Sequence, residues 1–392
     1  MRDGVLMSNE ETMKRSARVF QLDIRQYMMV FALIGIWIVF TIASRGTFLL
    51  PRNMTNLFRQ SVFTGIMAIG MVNVIVLGQV DLSVGSLAGL CGGILAILNV
   101  WQGLSSGLAI IITLVVGLLL GLWNGWWFAY RNVPAFIVTM AGLLIFRGVL
   151  VGITDGITIG PLSPFFGIIG KQFIPPITGM VIGVIAIVGF IFIQLRQRRG
   201  KMTHNLPVPL FRNTMTIIII FTCLVILFVM IMNSYHGIPN PVIGLILLLL
   251  IFNYVTNSTV FGRRIYAIGG NSMASRLSGI DIKKITLQVF MINGLMAAIA
   301  GIYLTARLDS ASVSAGTNGE LDAIAACVIG GASLMGGIGT VSGAIIGAVV
   351  MASLDNGMSL LNAPYFMQTI VKGLVLILAV WFDMSRKAME KR

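Results

Sequence analysis

The sequence predicts an all-α polytopic membrane protein with about 10–12 transmembrane helices. Of its 392 residues, 57% are hydrophobic and only 10% are charged, and the mean hydropathy is strongly positive. A soluble protein of this length has no core large enough for so many apolar residues, so lipid must surround most of the chain. A helix that spans about 30 Å of hydrocarbon needs about 20 mostly apolar residues, and the chain contains repeated segments of that size.

Twelve apolar segments are candidates for these helices. They lie near residues 27–43, 61–78, 82–100, 107–130, 135–153, 174–195, 214–232, 241–255, 287–304, 321–336, 338–354 and 369–382. The segments near 82 and 321 are rich in glycine and begin with acidic residues, so we expect broken or re-entrant helices there. In that case ten or eleven helices span the membrane completely.

Basic residues predict how the chain is oriented. Four clusters of Lys and Arg fall on one side of a twelve-span arrangement, and this side is expected to be cytoplasmic. The clusters are Lys14, Arg15, Arg18 and Arg25; Arg196, Arg198, Arg199 and Lys201; Arg263, Arg264, Arg276, Lys283 and Lys284; and Arg386, Lys387, Lys391 and Arg392. We therefore expect cytoplasmic tails at 1–26 and 383–392 around a transmembrane domain at 27–382. The first 26 residues lack the pattern of a removable signal peptide.

Several classes of function are disfavoured by the residues present. The net charge of +14 is carried in short loops beside membrane segments, where topology and anionic lipid explain it better than nucleic acid does. Cys91, Cys223 and Cys327 are widely spaced within apolar segments, which indicates buried cysteines rather than a metal site. His204 and His236 fall on opposite sides of the membrane. No phosphate-binding loop of the G-x-x-x-x-G-K-[ST] type occurs, so any use of ATP requires a partner.

Glycine recurs at four-residue spacing in three segments. The rows are Gly85, Gly89 and Gly93; Gly117, Gly121 and Gly125; and Gly339, Gly343 and Gly347. This spacing places small residues on one helix face, where two backbones can approach closely in lipid. The rows predict either simple packing or a face that slides during transport.

Two halves of the chain share a weak but ordered pattern. Asp81 begins a segment that reaches Gly92-Gly93, and Asp322 begins one that reaches Gly330-Gly331. The further matches are Asn124-Gly125 with Asn356-Gly357, Pro134 and Thr139 with Pro364 and Thr369, Arg147-Gly148 with Lys372-Gly373, and residues 65–68 with 294–297. Corresponding spans are an odd number apart, so repeats at about 50–153 and 262–382 would be inverted. Inverted repeats are typical of alternating access; chance similarity between glycine-rich helices is the alternative.

Asp81, Glu320 and Asp322 are the acidic residues expected within membrane segments. Charged groups are costly there and are usually functional. Two interpretations are open: the carboxylates contact a solute, or they cap broken helices, whose N-terminal ends favour negative charge. We expect Asp155 and Asp355 to lie in loops, so the chain has no ladder of carboxylates across the bilayer.

Five segments together resemble a known family. They are GQVDLSVGS, NGWWFAYRNVPAFIVTMAGLLIFRG, FGRRIYAIGGNSMASRLSGI, ELDAIAACVIGGASLMGGIGTVSGA and MASLDNGMSL. They resemble the permease subunits of bacterial ATP-binding-cassette (ABC) importers for monosaccharides, and most closely the xylose-type permeases. The resemblance covers most of residues 50–382. It also suggests that about 174–232 is a helix pair added relative to the ribose-type permeases.

The resemblance implies a non-catalytic homodimeric permease of the bacterial inner membrane. Its expected partners are a cytoplasmic ABC ATPase, which uses ATP and Mg²⁺, and a periplasmic sugar-binding protein; this chain itself needs no cofactor and no metal. The expected cargo is D-xylose or a related sugar. An ion-coupled secondary sugar transporter is the alternative, although few titratable groups lie at membrane depth. A passive channel or scaffold subunit is a third, which gives residues 262–284 no role.

Neutral polar side chains within the spans are candidates for a sugar path. Hydroxyl and amide groups suit sugar hydroxyls, although small polar residues in helices more often bond their own backbone. The candidates for the path or for broken helices are Asp81, Ser83, Ser86, Asn124, Thr139, Asn293, Glu320, Asp322 and Asn356.

Residues 270–279 predict a short helix on the cytoplasmic side. Gly269-Gly270-Asn271 indicates a turn, Asn271 or Ser272 can cap a helix over 272–278, and Gly279 can end it. About two turns are unstable alone, so the helix must pack against something. It resembles the coupling helix by which these permeases contact their ATPase, and a plain linking loop is the alternative. The proposed contact residues are Gly270, Asn271, Met273, Ala274, Ser275, Leu277, Ser278 and Gly279.

Arg45, Arg52 and Arg59 fall on the outer side of this topology, where Arg is normally scarce. Snorkelling towards lipid headgroups is one explanation. The other is that Arg52 and Arg59 dock acidic patches of the sugar-binding protein.

Overall fold

The computed structural model describes residues 24–203 and 211–390. The predicted tail residues Lys14, Arg15, Arg18, Lys391 and Arg392, as well as His204, lie outside these described residues. Fifteen α-helices are described: α1 Ile24–Ala43, α2 Pro51–Val76, α3 Val84–Ala96, α4 Ser106–Ala129, α5 Ala135–Ile153, α6 Phe165–Gly170, α7 Pro176–Thr203, α8 Phe211–Asn233, α9 Asn240–Ser258, α10 Val260–Gly270, α11 Ser272–Leu277, α12 Ile282–Leu308, α13 Gly319–Ile329, α14 Val341–Leu360 and α15 Tyr365–Glu390. Two short strands, β1 Phe173–Ile174 and β2 Ile238–Pro239, pair antiparallel.

The predicted all-α membrane fold is confirmed. Within the described ranges, ten helices are long and apolar enough to cross a membrane, and the apolar part of α1 is shorter, at Met29–Ala43. Helix α13 has only 11 residues, and the irregular segment 330–340 completes its path to the start of α14. Counting α1 and this half-helical passage, the part of the chain that the structure describes traverses the bundle twelve times.

The two segments that were expected to be broken differ. The segment near 321 is interrupted, because α13 ends at Ile329 and Gly331, Gly336 and Gly337 then adopt positive φ angles. The segment near 82 is not: α3 runs on into a π-helical turn, Ile97–Trp101, and is long enough to span. The irregular backbone there precedes the helix, around Asp81, rather than dividing it.

The buried centre consists of α2, α3, α12, α13 and α14. Helix α12 packs against α3 and α4, whereas α2 packs against α13 and α14. In the alignment of the two repeats, α2 corresponds to α12, and α3, α4 and α5 correspond to α13, α14 and α15. Each half therefore packs its first helix against the other half, as inverted repeats that share one core would.

Glycine sets the distance between α4 and α12. A Cβ atom at Gly121 would overlap the carbonyl oxygen of Phe290, and one at Gly294 would overlap that of Gly117. Gly89 approaches Ala315, and Gly347 approaches Ala326, with similar closeness. All three predicted glycine rows thus include residues that allow close backbone contact; whether any of these faces slides stays a prediction.

The bundle has two chemically different ends. Alternation of the helices places Arg196, Arg263, Arg276 and Lys283 at one end, here called the basic end, together with the start of α1 and the end of α15. At the opposite end, β1 pairs with β2 and Lys171 Nζ lies 2.8 Å from Asp309 Oδ2. This hydrogen bond lowers the pKa of Asp309 below its ordinary value.

Helices α7 and α8 form a peripheral pair at the predicted position. The rings of Phe190 and Phe221 stack between them at 3.9 Å, and Phe228 joins α8 to Phe58 of α2. Cys223 is exposed on α8, whereas Cys91 and Cys327 are buried; the prediction of three buried cysteines was wrong for Cys223 because α8 presents most of its surface outward. The origin of the pair as an added element stays a prediction.

Helix α15 passes the predicted boundary of the C-terminal tail. It continues through residue 383 to Glu390, and Ser333 Oγ donates a hydrogen bond of 3.0 Å to Asp383 Oδ2. The residues that follow the apolar part of α15 therefore continue the same helix as far as Glu390.

Candidate functional sites

A buried polar cluster joins three helices near the middle of α12. Asp81 Oδ1 accepts hydrogen bonds from the backbone N and the Oγ of Ser83, at 2.8 and 2.6 Å. Asn124 Nδ2 of α4 donates to Ser83 Oγ at 2.8 Å, and Asn293 Nδ2 of α12 donates to Asp81 Oδ2 at 2.8 Å. All four residues are buried. The cluster ties the start of α3 to α4 and α12.

This geometry favours a structural role for Asp81. Its side chain is 2% exposed, and both carboxylate oxygens have partners within the protein. The bond to Ser83 N places the carboxylate at the N-terminal end of α3, where the helix dipole favours negative charge. We interpret Asp81 as a helix-start residue and an interhelical tie in this conformation. Asn124 Oδ1 and Asn293 Oδ1 have no partner among the described residues.

The other neutral candidates are scattered. Ser86 and Thr139 are buried in α3 and α5, and Thr139 Oγ1 turns back to Phe136 O at 3.4 Å. Asn356 accepts a hydrogen bond of 2.8 Å from Asn53 Nδ2 and so joins α14 to α2. The structure therefore brings together Asp81, Ser83, Asn124 and Asn293, but neither Thr139 nor Asn356 is part of that cluster.

Glu320 and Asp322 lie in the first turn of α13. Lys372 Nζ of α15 is 2.9 Å from Asp322 Oδ2 and 2.9 Å from Asp355 Oδ2 of α14. Glu320 has a different basic neighbour, Arg147 of α5, which attracts it electrostatically. Asp355 lies inside α14 rather than in the predicted loop, because Asn356-Gly357 continues the helix instead of forming a turn.

Arg147 holds the loop before α13. Its Nη1 donates to the carbonyl oxygens of Val313 and Ala315, at 2.6 and 2.9 Å. The repeat alignment matches Arg147 with Lys372, and both cations meet the acidic start of α13. Sequence reasoning did not single out Lys372 or Arg147 as site residues. The sequence did contain a signal for both residues. Each is a lone basic residue within an apolar helix, and the two occupy matching positions in the predicted repeats.

The predicted short helix at the basic end is confirmed as α11. Asn271 caps it, since its Oδ1 accepts a hydrogen bond of 2.9 Å from Ala274 N, and Gly279 follows with a φ of +80°. Met273 and Leu277 are 66% and 82% exposed, and Ala274 is exposed between them. Ser275 is the buried residue of α11. An apolar surface two turns long thus projects from the basic end.

The predicted turn at Gly269-Gly270-Asn271 was too long. Helix α10 includes both glycines and ends at Gly270, so Asn271 alone separates α10 from α11. Gly269 is needed for close approach rather than for a turn, because a Cβ atom there would overlap the carbonyl oxygen of Val76. Tyr266 OH also donates to Gly339 O at 2.6 Å, so α10 is held firmly against the bundle.

The two arginines predicted to dock a partner differ in their surroundings. Arg52 is exposed. Arg59 Nη2 donates to Gly170 O at 2.9 Å, its guanidinium lies over the ring of Phe173, and Tyr303 OH donates to its carbonyl oxygen. Arg59 therefore already joins α2 to the connection that follows α6.

The chain is thus a polytopic helical bundle with buried polar groups between its central helices and a short helix that projects from one end, an architecture suited to a membrane transport protein. Comparison with known proteins gives its family: the chain matches the family described as "Branched-chain amino acid transport system / permease component" over residues 53–380. The chain belongs to this family of permease components. No solved structure matches it.

Comparison with individual relatives shows which permeases within the family this chain resembles. The chain is 50% identical to the xylose transport system permease protein XylH of Escherichia coli (strain K12) over 371 residues, 93% of each chain. It is 49% identical to XylH of Haemophilus influenzae over 366 residues, 93% of this chain and 98% of the relative. It is 35% identical to the ribose import permease protein RbsC of Bacillus subtilis over 384 residues, 97% of this chain and all of the relative. The predicted resemblance to monosaccharide permeases is confirmed.

The buried cluster predicts the effect of replacing Asp81. In Asp81→Asn, one acceptor oxygen is exchanged for an amide NH₂ that faces the donors of Ser83 or Asn293, which costs about 1–3 kcal/mol of folding free energy. We expect a lower melting temperature and less monodisperse protein in detergent, with uptake per folded molecule nearly unchanged. The matched control is Asp155→Asn at an exposed residue. Normal stability together with lost uptake would instead favour solute contact.

Proposed function

We propose that this chain is the transmembrane subunit of an ATP-driven, binding-protein-dependent importer of a monosaccharide, D-xylose or a close relative. The observation that carries the proposal is the identity of about half of all residues with xylose permeases over nearly the whole chain. The lower identity to ribose permeases favours xylose within the family. In this assembly the permease forms the path, and a separate ATPase binds and hydrolyses ATP with Mg²⁺.

The proposed assembly contains two copies of this chain, two nucleotide-binding modules and a periplasmic sugar-binding protein, in a bacterial inner membrane. The basic end is assigned to the cytoplasm, because loops rich in Lys and Arg are retained there. Both termini are then cytoplasmic, and residues 44–50 and 309–318 face the periplasm. The bilayer is a further partner, since α5, α7, α8 and α15 expose mostly apolar side chains.

An ion-coupled secondary sugar transporter is the weaker alternative. Such a carrier needs a carboxylate in the solute path that is free to bind a proton or a metal cation. The carboxylate of Asp81 is enclosed by neutral donors, and Asp322 and Asp355 are paired with Lys372. This arrangement supports an external energy source.

Reconstituted uptake tests the proposed function. We expect the purified permease alone to show no ATPase activity and no concentrative uptake of xylose, because the chain has no phosphate-binding loop. Both activities should appear when the cognate ATPase and sugar-binding protein are added with ATP and Mg²⁺. Xylose uptake driven by a proton gradient without ATP would contradict the proposal and favour the alternative.

We assign the ATPase contact to α11 and its flanks, residues 270–279. Small Ala274 permits close approach, and exposed Met273 and Leu277 provide the apolar contact. A helix of six residues is not stable alone, but here the Asn271 cap and the rigid neighbour α10 hold it in place before any partner binds. Such preorganisation reduces the entropic cost of association.

Replacing Leu277 tests this assignment. Leu277→Glu should leave membrane insertion intact, because the side chain is 82% exposed. Association with the ATPase, or sugar-stimulated ATP hydrolysis, should fall on the order of tenfold, as at an interface hot spot. Met202→Glu, at another exposed methionine of the same end, is the control and should couple normally. Normal coupling in both variants would show that α11 is not the ATPase contact.

We propose that Arg52 is the main contact for the sugar-binding protein and that Arg59 contributes less. Arg59 is already bound within the bundle, so its substitution also disturbs the fold. Arg52→Glu should slow uptake at low ionic strength, with a smaller difference near 1 M salt, where the Debye length falls to about 3 Å. Expression should be normal. An unchanged rate at low salt would leave Arg52 as a residue that snorkels to lipid headgroups.

A further inference from the structure

A small cavity opens at the end opposite α11, between the start of α13 and the first three turns of α15. Its volume is about 240 Å³. Its polar lining comprises Thr317, Asn318, Asp322, Tyr365, Gln368, Thr369 and Lys372, and its apolar lining includes Leu321, Met351 and Leu376. Pockets for drug-sized ligands measure roughly 300–1,000 Å³, so this cavity suits a smaller molecule.

Lipid is not a suitable occupant of this cavity. Asp322 and Lys372 are partly exposed, with 14% and 24% of their side-chain surfaces accessible, and Lys372 lies seven residues into the membrane-spanning helix α15. Charged groups at such depth face either the bundle interior or a water-filled space, because hydrocarbon cannot solvate them. The accessible surface of this ion pair therefore faces water or a polar ligand.

Hydrogen-bonding capacity in the cavity is only partly used. Asp322 Oδ1 is buried without a partner among the described residues, so it is closed to a ligand in this conformation and Asp322 serves to hold Lys372. Gln368 donates its amide to Ala363 O at 2.9 Å, which leaves its Oε1 as an acceptor. Lys372 carries three ammonium protons, and its two carboxylate contacts leave one free. The cavity thus offers one acceptor, on Gln368, and one donor, on Lys372, to a small ligand.

The charge and shape of the cavity select a neutral polyhydroxyl compound. Two carboxylates surround one ammonium group, which disfavours phosphate and other anions. A sugar hydroxyl donates and accepts at once, so it can bond the amide oxygen of Gln368 and the ammonium group of Lys372 together. Tyr365 is 70% exposed at the mouth, and its ring presents a flat apolar face to the C–H surface of a sugar. The Asp81 cluster, in contrast, is enclosed, since all four of its residues are buried.

We propose that this cavity is a monosaccharide-binding subsite at the outer mouth of the translocation path, in which Gln368 and Lys372 bond the sugar hydroxyls and Asp322 holds Lys372 in place. This inference rests on the proposed function, which orients the bundle so that this end faces the periplasm. In this subsite, the sugar that the binding protein releases makes its first contacts with α13 and α15. The repeat-related cation Arg147 is already bound to two carbonyl oxygens, so the symmetric position in α5 is not a second subsite.

Cysteine labelling in the assembled importer tests the subsite. Thr369→Cys is introduced with Cys223→Ser, which removes the exposed natural cysteine, and a membrane-impermeant thiol reagent is added from the periplasmic side. The control is Ile370→Cys on the adjacent face of α15, where the side chain is 57% exposed. The Thr369→Cys thiol should react roughly tenfold faster than the control, because the reactive thiolate forms in water and not in lipid. Saturating D-xylose should slow its labelling several-fold, and a disaccharide should not.

A second substitution separates binding from simple blockage. Adding Gln368→Ala should raise the xylose concentration that gives half-protection by roughly fivefold, the effect of one lost hydrogen bond. Leu374→Ala, on the outward face of α15, is the matched control and should leave that concentration unchanged. An unreactive Thr369→Cys, equal labelling of both cysteines, or labelling that xylose does not slow would overturn the subsite.

Uptake by the importer without cysteine substitutions distinguishes the two proposals. If it imports xylose normally while Thr369→Cys is unprotected, the subsite is wrong and the proposed function stands. If it imports no xylose in the presence of ATP, ATPase and binding protein, the proposed function fails and the subsite fails with it.

Discussion

Close backbone contact between α12 and α4 is the constraint on which the rest of the structure depends. Lipid provides no hydrophobic drive for helices to associate, so packing must come from surfaces that fit closely. Gly121 against Phe290, and Gly294 against Gly117, bring these two helices nearer than side chains would permit. That spacing puts Asn124 and Asn293 within hydrogen-bonding reach of the start of α3. The polar cluster around Asp81 is therefore a consequence of the glycine contacts.

The cluster and the cavity divide the polar groups of the membrane region into two kinds. Asp81 has its hydrogen bonds satisfied inside the bundle, so it holds helices together. Asp322 shares Lys372 with Asp355, and the side chains of Lys372 and Asp322 keep 24% and 14% of their surfaces accessible beside a cavity. Burial of a charge is costly unless every bond is made. The accessible ammonium group of Lys372 is thus available to a ligand, whereas the enclosed carboxylate of Asp81 is committed to the fold.

Local signals in the sequence were sufficient for some elements and not for others. Asn271 and Gly279 predicted the ends of α11 correctly, because a cap and a positive φ depend on neighbouring residues alone. Gly269 was misread as a turn, since its role depends on Val76, which is distant in the sequence. Asp355 was misplaced for the same reason: only its pairing with Lys372 explains an acidic residue inside α14. Residues whose role is set by distant partners require the three-dimensional structure.

The reciprocal packing of the two halves has a consequence for biosynthesis. Helix α2 emerges early, yet it packs against α13 and α14, and the acceptor of Asn53 follows 303 residues later in the chain. At about 5–20 residues per second, a ribosome needs on the order of tens of seconds to supply it. During that interval the amide of Asn53 and the close-packing face of α2 lack their final neighbours. The nascent chain must therefore keep its first helices in a provisional arrangement at the insertion machinery, and native assembly is completed only when the last helices have entered the bilayer.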